Sequence, residues 1–100
     1  MESNSKVFWS NASLIDLDNI LEYLKSRWTI REIEKFKVKL FKRIDLINRT
    51  PKLFKGSEQK PHLRKSVLSK QTSIFYSFDK KSNSIYIVRL FDNRMDSSEI

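Results

Sequence analysis

HLRKSVLSKQTSIFYSFDKKSNSIYIVRLFDNR, residues 62–94, decides the fold of this chain. Three runs rich in β-branched and aromatic residues, beginning at Leu63, Thr72 and Ser84, are separated by short polar breaks around Lys70 and around Lys80-Lys81. That spacing predicts three strands joined by two antiparallel hairpins. Under strict alternation Ile74, Tyr76 and Phe78 share one face of the middle strand. In the last strand Ile85, Ile87 and Phe91 share a face, and Tyr86, Val88 and Leu90 fill the other. Apolar residues on both faces predict a central strand covered on both sides. Into this apolar sheet the chain sets Arg64 at the start of the first strand, Arg89 inside the last and Arg94 just beyond its end.

Working outward, the residues before the sheet read as helices. Val7 to Trp9 is a short apolar run suited to an edge strand, and Ser10 fits an N-cap because its hydroxyl can accept from first-turn amides. Leu14, Leu17, Leu21, Leu24 and Trp28 then recur at steps of three and four, a helical stripe widened by Ile20 and Tyr23. Thr29 with Glu32 makes a capping box, and Trp28 with Ile33 is placed for a hydrophobic staple. A second helix is predicted from Ile30 to about Asn48, with Ile33, Phe36, Leu40, Ile44 and Ile47 inward, ended by Pro51. The link between the helices is so short that they must fold back as an antiparallel hairpin, and the sheet is the surface that receives it.

Composition bounds the function. One hundred residues with 39% apolar and 12% aromatic side chains predict a single domain, 1–100, with one core. The chain has no cysteine and one histidine, which excludes disulfides and thiolate metal sites and makes neither a metal nor a cofactor expected. Apolar runs fall far short of the roughly 20 residues that span a bilayer, so a cytoplasmic location is expected. Twenty Lys and Arg against twelve Asp and Glu give a net charge of +8 and call for an anionic counterpart, nucleic acid or an acidic protein.

The cations gather in two places. Lys35, Lys37, Lys39, Lys42 and Arg43 crowd the outer side of the second helix, where a solvated face and a contact surface for an acidic partner both fit. The loop PKLFKGSEQKPH, residues 51–62, carries Lys52, Lys55 and Lys60 up to Arg64 and Lys65. Acidic residues are scattered singly, against a paired-carboxylate site, and one Gly cannot build a phosphate loop. His62 alone has an unperturbed pKa near neutrality, open to an idle or a proton-transfer role. Tyr76 reads as core with its hydroxyl bonded at an edge, ahead of a catalytic role. Arg89 needs a carboxylate, with Asp92 or Asp79 as structural partners and partner binding as the alternative.

The ordered residues Trp9-Ser10, Asp16-Leu17, Ile20, Tyr23, Thr50-Pro51, Leu63-Arg64, Ile74-Phe75-Tyr76 and Phe91-Asp92-Asn93-Arg94 with Asp96 resemble the ParE/RelE superfamily of type II toxin-antitoxin toxins, once called plasmid stabilisation proteins. The resemblance runs over roughly residues 7–97. It implies an α+β fold, β-α-α-β-β-β, with the helical hairpin on a twisted, mainly antiparallel sheet. It also implies a cognate acidic antitoxin that folds as it wraps the toxin.

The superfamily divides by target. ParE-like members inhibit DNA gyrase, whereas RelE-like members are metal-independent endoribonucleases that cut messenger RNA in the ribosome. Carried over to this chain, the ribonuclease candidates are Lys60, His62, Arg64 and Arg94. Candidates for partner binding are Arg64, Lys65, Arg89, Arg94, Lys35 and Lys39. The residues after Arg94, MDSSEI, hold no Tyr or His to move a proton, and the long regular hairpin looks more like ParE. The ParE-like, non-enzymatic reading is therefore favoured, ahead of a RelE-like nuclease and of a basic α+β binding module unconnected with toxicity.

Overall fold

The computed structural model describes residues 6–52, Gly56 and residues 63–92, and for Asp92 the backbone only. Its elements are β1 (Lys6–Trp9), α1 (Asn11–Lys25), α2 (Ile30–Arg49), β2 (Arg64–Val67), β3 (Thr72–Asp79) and β4 (Ser84–Asp92). The sheet order is β1-β4-β3-β2, with β1 parallel to β4 and the other pairs antiparallel. This is the β-α-α-β-β-β, α+β arrangement expected from the sequence.

Local chemistry sets the helix ends. Ser10 Oγ accepts from the Ser13 amide at 2.9 Å and donates to the Val88 carbonyl at 2.7 Å, so one hydroxyl starts α1 and ties that start to β4. Thr29 Oγ1 accepts from the Glu32 amide at 3.2 Å while the Glu32 carboxylate accepts from the Thr29 amide at 3.1 Å, completing the capping box. Beyond α2, Tyr76 is fully buried and donates its hydroxyl to the Pro51 carbonyl at 2.7 Å, as its place in the core predicts. At the β3–β4 turn Asn83 takes a φ of 53°, a left-handed conformation that Asn tolerates.

The core lies between hairpin and sheet. Leu24, Ile33, Phe36, Leu40, Ile44 and Ile47 meet Ile74, Tyr76, Ile85, Ile87 and Leu90 there. Two members of the predicted α1 stripe are not in it: Leu14 and Tyr23 are exposed. At 100° per residue Leu14 sits about 70° to one side and Tyr23 about 110° to the other side of the centre of the stripe formed by Leu17, Ile20, Leu21 and Leu24, at its margins.

Strict alternation also fails in β4. The register passes from Tyr76↔Ile87 to Phe75↔Arg89, so Val88 is an extra residue, a β-bulge. An inserted residue reverses the facing of everything beyond it. Leu90 therefore joins Ile85 and Ile87 on the helix side, and Phe91 joins Phe75, Leu63 and Val88 in a second cluster. In that cluster Phe75 and Phe91 meet edge to face, 5.9 Å between centroids. The expected grouping of Phe91 with Ile85 and Ile87, and of Leu90 with Tyr86 and Val88, is corrected accordingly.

Candidate functional site

The strand cations divide between the two faces of the sheet. Arg64 pairs with Tyr76 across the β2–β3 ladder, and Lys65 with Phe75. As consecutive strand residues they face opposite sides of the sheet. The Lys65 ammonium lies 5.8 Å from the Phe75 ring centroid, over the second cluster. Arg64 also forms an isolated antiparallel bridge with Gly56.

Arg89 pairs with Phe75 from the other flanking strand, which puts it in the row of Lys65, on the same face of the sheet. Its Nε donates to Asp16 Oδ2 at 2.7 Å and its Nη2 to Asp16 Oδ1 at 2.9 Å, a two-pronged pair between β4 and α1. The Leu90 amide donates to the same Oδ2 at 3.0 Å. β1 accompanies β4 only as far as Ile87, so past that point the Asp16 carboxylate supplies the acceptor a neighbouring strand would have given. The hydrogen bond to Asp16 raises the Arg89 pKa above its ordinary value against the opposing effect of burial. The partner is thus Asp16 rather than the expected Asp92 or Asp79; Asp79 instead accepts from the Lys81 amide and Ser82 hydroxyl in its own turn. Lys55, Lys60, His62 and Arg94 lie outside the described residues.

The basic side of α2 divides in two. Arg43, grouped by sequence with the solvated lysines, turns to the sheet and donates through Nη1 to Ser66 Oγ at 2.9 Å and to the Val67 carbonyl at 2.7 Å. Lys37 pairs with Glu34 at the surface. Lys35 and Lys39 instead rim a half-open cavity of about 300 Å³ whose walls are Ile20, Leu24, Trp28 and Phe36. The β2–β3 turn closes it with Ser69, Gln71 and Thr72. Along the outer side of the same two lysines runs a shallower groove of about 670 Å³, lined also by Val38, Arg31, Lys42 and Glu34, the last paired with Lys37.

Chemically, this is an apolar slot beside a capped helix whose lysines are interspersed with Glu32 and Glu34. It suits capture of an apolar side chain carried among carboxylates. Among the described residues no group of three or more His, Cys, Asp or Glu is placed to hold a metal ion. None of their helices is long and apolar enough to cross a membrane. The sequence pointed to Lys35 and Lys39 through charge, but it assigned the cavity walls Ile20, Leu24 and Trp28 to the core stripe alone. Asp16 and Arg43 were missed as structural partners because their contacts are distant in sequence.

Known structures share this fold. The chain superposes on a structure of the chromosomal ParDE toxin-antitoxin system from P. aeruginosa with a TM-score of 0.72 and 18% identity, covering 88% of this chain and 95% of that one. It matches a chain of the RelBE2 toxin-antitoxin complex from Mycobacterium tuberculosis with a TM-score of 0.62 and 13% identity, over 90% and 99% of the two chains. A YoeB/ParE toxin from Agrobacterium tumefaciens gives 0.59 and 15%, over 87% and 96%. Comparison with curated protein sequences gave no significant match. The family model for the ParE toxin of the type II toxin-antitoxin system parDE matches residues 7–97. With nearly the whole chain inside that match, and with the hairpin on the sheet as the fold requires, the protein belongs to the ParE toxin family of type II toxin-antitoxin systems.

Proposed function

We propose that this chain is a cytoplasmic toxin that inhibits DNA gyrase by binding it, without enzymatic chemistry of its own, and that a cognate acidic antitoxin neutralises it. The observation that carries the reading is the ParE family match over residues 7–97. The charge of +8 supports an anionic partner. Of the four nuclease candidates only Arg64 lies among the described residues. Cleavage by 2′-hydroxyl attack needs proton-transfer groups and cations converging on one phosphorane. Arg64 and Lys65 diverge to opposite faces, and Arg89 is engaged by Asp16.

The second reading is a RelE-like nuclease acting on messenger RNA in the ribosome, with Lys60, His62, Arg64 and Arg94 as its candidates. Its support is the fold shared with the RelBE2 complex and the bridge between Arg64 and Gly56. Translating ribosomes incubated with the purified chain distinguish the two. The gyrase reading expects messenger RNA to remain intact. Ribosome-dependent cuts that vanish in His62→Ala or Arg64→Ala would replace it with the nuclease.

A further inference from the structure

Among the described residues the outer edge of β1 is open, since the sheet order ends on that strand. Lys6 and Ser10 turn their amides to β4, donating to the Asn83 and Ile87 carbonyls at 3.1 and 3.0 Å. Residues bonded to one neighbour alternate along a strand, so Val7 and Trp9 direct their N–H and C=O groups the other way, out from the sheet. Apolar side chains crowd this edge on both faces. Val7 and Trp9 pack toward the helix-side core, which leaves Phe8 on the opposite face. There Phe8 stacks on Tyr86, 5.5 Å between centroids and 20° between planes, yet the two stay 47% and 40% exposed. On the helix side Trp9 meets Phe41 at 6.4 Å, and Phe41 is 53% exposed. An open edge lined with exposed rings is a template for another strand.

We propose that β1 pairs with β1 of a second copy of this chain, antiparallel about a two-fold axis at Phe8, joining the two sheets into one. The strand is complementary to itself in that register. Val7 of each copy lies opposite Trp9 of the other, and each such pair exchanges both of its N–H···O bonds. A two-fold at Val7 or at Trp9 would leave a single bonded pair within the strand, half as many bonds. Lys6 falls opposite Ser10, so the two lysines do not meet. On the outer face Phe8 meets its own copy in the closer, non-hydrogen-bonded kind of pair, which sets the rings of Tyr86 and Phe8 from both copies in one row. On the helix side Trp9 gains Val7 of the other copy as its neighbour. One short strand on each side makes a contact smaller than a standard interface, and the charge of +8 on each copy opposes it, so the association is weak. The proposal stands apart from the gyrase and antitoxin readings and uses neither.

The test is sedimentation velocity on the full chain at rising concentration, joined to cross-linking of single-cysteine variants, for which the chain has no cysteine of its own. A monomer–dimer equilibrium is expected between about 10 and 500 µM, in the range of small, weak interfaces. It should shift toward dimer as salt screens the charge. Val7→Pro removes the outward N–H but none of the amides that bond to β4, and should weaken the dimer about tenfold or more. Phe8→Cys sets two thiols on the axis within disulfide reach. Under mild oxidation it should cross-link at least about tenfold faster than Val67→Cys, a similarly exposed site on the opposite edge strand. Phe8→Cys decides the matter even if Val7→Pro does not fold, because the Phe8 side chain lies outside the core. A monomer throughout that range, a dimer indifferent to a folded Val7→Pro, or equal cross-linking at the two cysteines would overturn the proposal.

Discussion

Asp16 of α1 and Arg89 of β4, separated by 73 residues in the chain, form a two-pronged ion pair at the bulged edge of the sheet. The pair sits where β1 has ended and the β4 backbone would otherwise lack an acceptor. It locks helix to strand at the place where the chain changes the facing of its side chains. The ends of the hairpin and the sheet edge are therefore fixed relative to each other by polar bonds as well as by the core.

Asp16→Ala should destabilise the fold by about 2 kcal/mol, the range for a hydrogen bond to a charged group. It removes acceptors from Arg89 and from the Leu90 amide together. The value is kept at the modest end because the Arg89 side chain is 34% exposed and water takes up part of its charge. Asp18→Ala, on the exposed side of α1, should stay within about 0.5 kcal/mol. Equal losses in the two variants by chemical denaturation would mean that the pair contributes no more than a surface charge.

Leu40 is wholly inaccessible at the centre of the inner stripe of α2. Leu40→Ala should cost about 2 to 5 kcal/mol, from lost burial and the cavity left behind. A change below about 1 kcal/mol in denaturant midpoint experiments would show that the hairpin does not close on the sheet at this residue.

Arg43 holds α2 to β2 through the buried Ser66 hydroxyl and the Val67 carbonyl. Arg43→Ala should cost about 1 to 2 kcal/mol, and a double-mutant cycle with Ser66→Ala should return a coupling of about 1 kcal/mol. Strict additivity would place the guanidinium in solvent with the neighbouring lysines.

The parts of this fold that local chemistry dictates were legible in the sequence. The β3 and β4 bounds follow from runs rich in β-branched and aromatic residues between polar turns, and both helix starts follow from Ser10 and from Thr29 with Glu32. The bulge at Val88 was not legible, because Val88, Leu90 and Phe91 are all apolar and a one-residue slip leaves the pattern of polarity unchanged. Asp16 gave no hint of Arg89, since nothing local marks a contact across 73 residues. Arg43 was hidden among lysines of the same charge. Lys35 and Lys39 were legible as charge, yet the slot beside them arises only when the α1–α2 link and the β2–β3 turn meet in space.

Inhibition of DNA gyrase by binding, as proposed, is open to a direct assay. The most direct measurement is gyrase-catalysed supercoiling of relaxed plasmid with increasing purified chain. Dose-dependent inhibition is expected without metal or cofactor added for the toxin, together with recovery when its antitoxin is supplied. Full supercoiling activity in the presence of excess folded chain would contradict it.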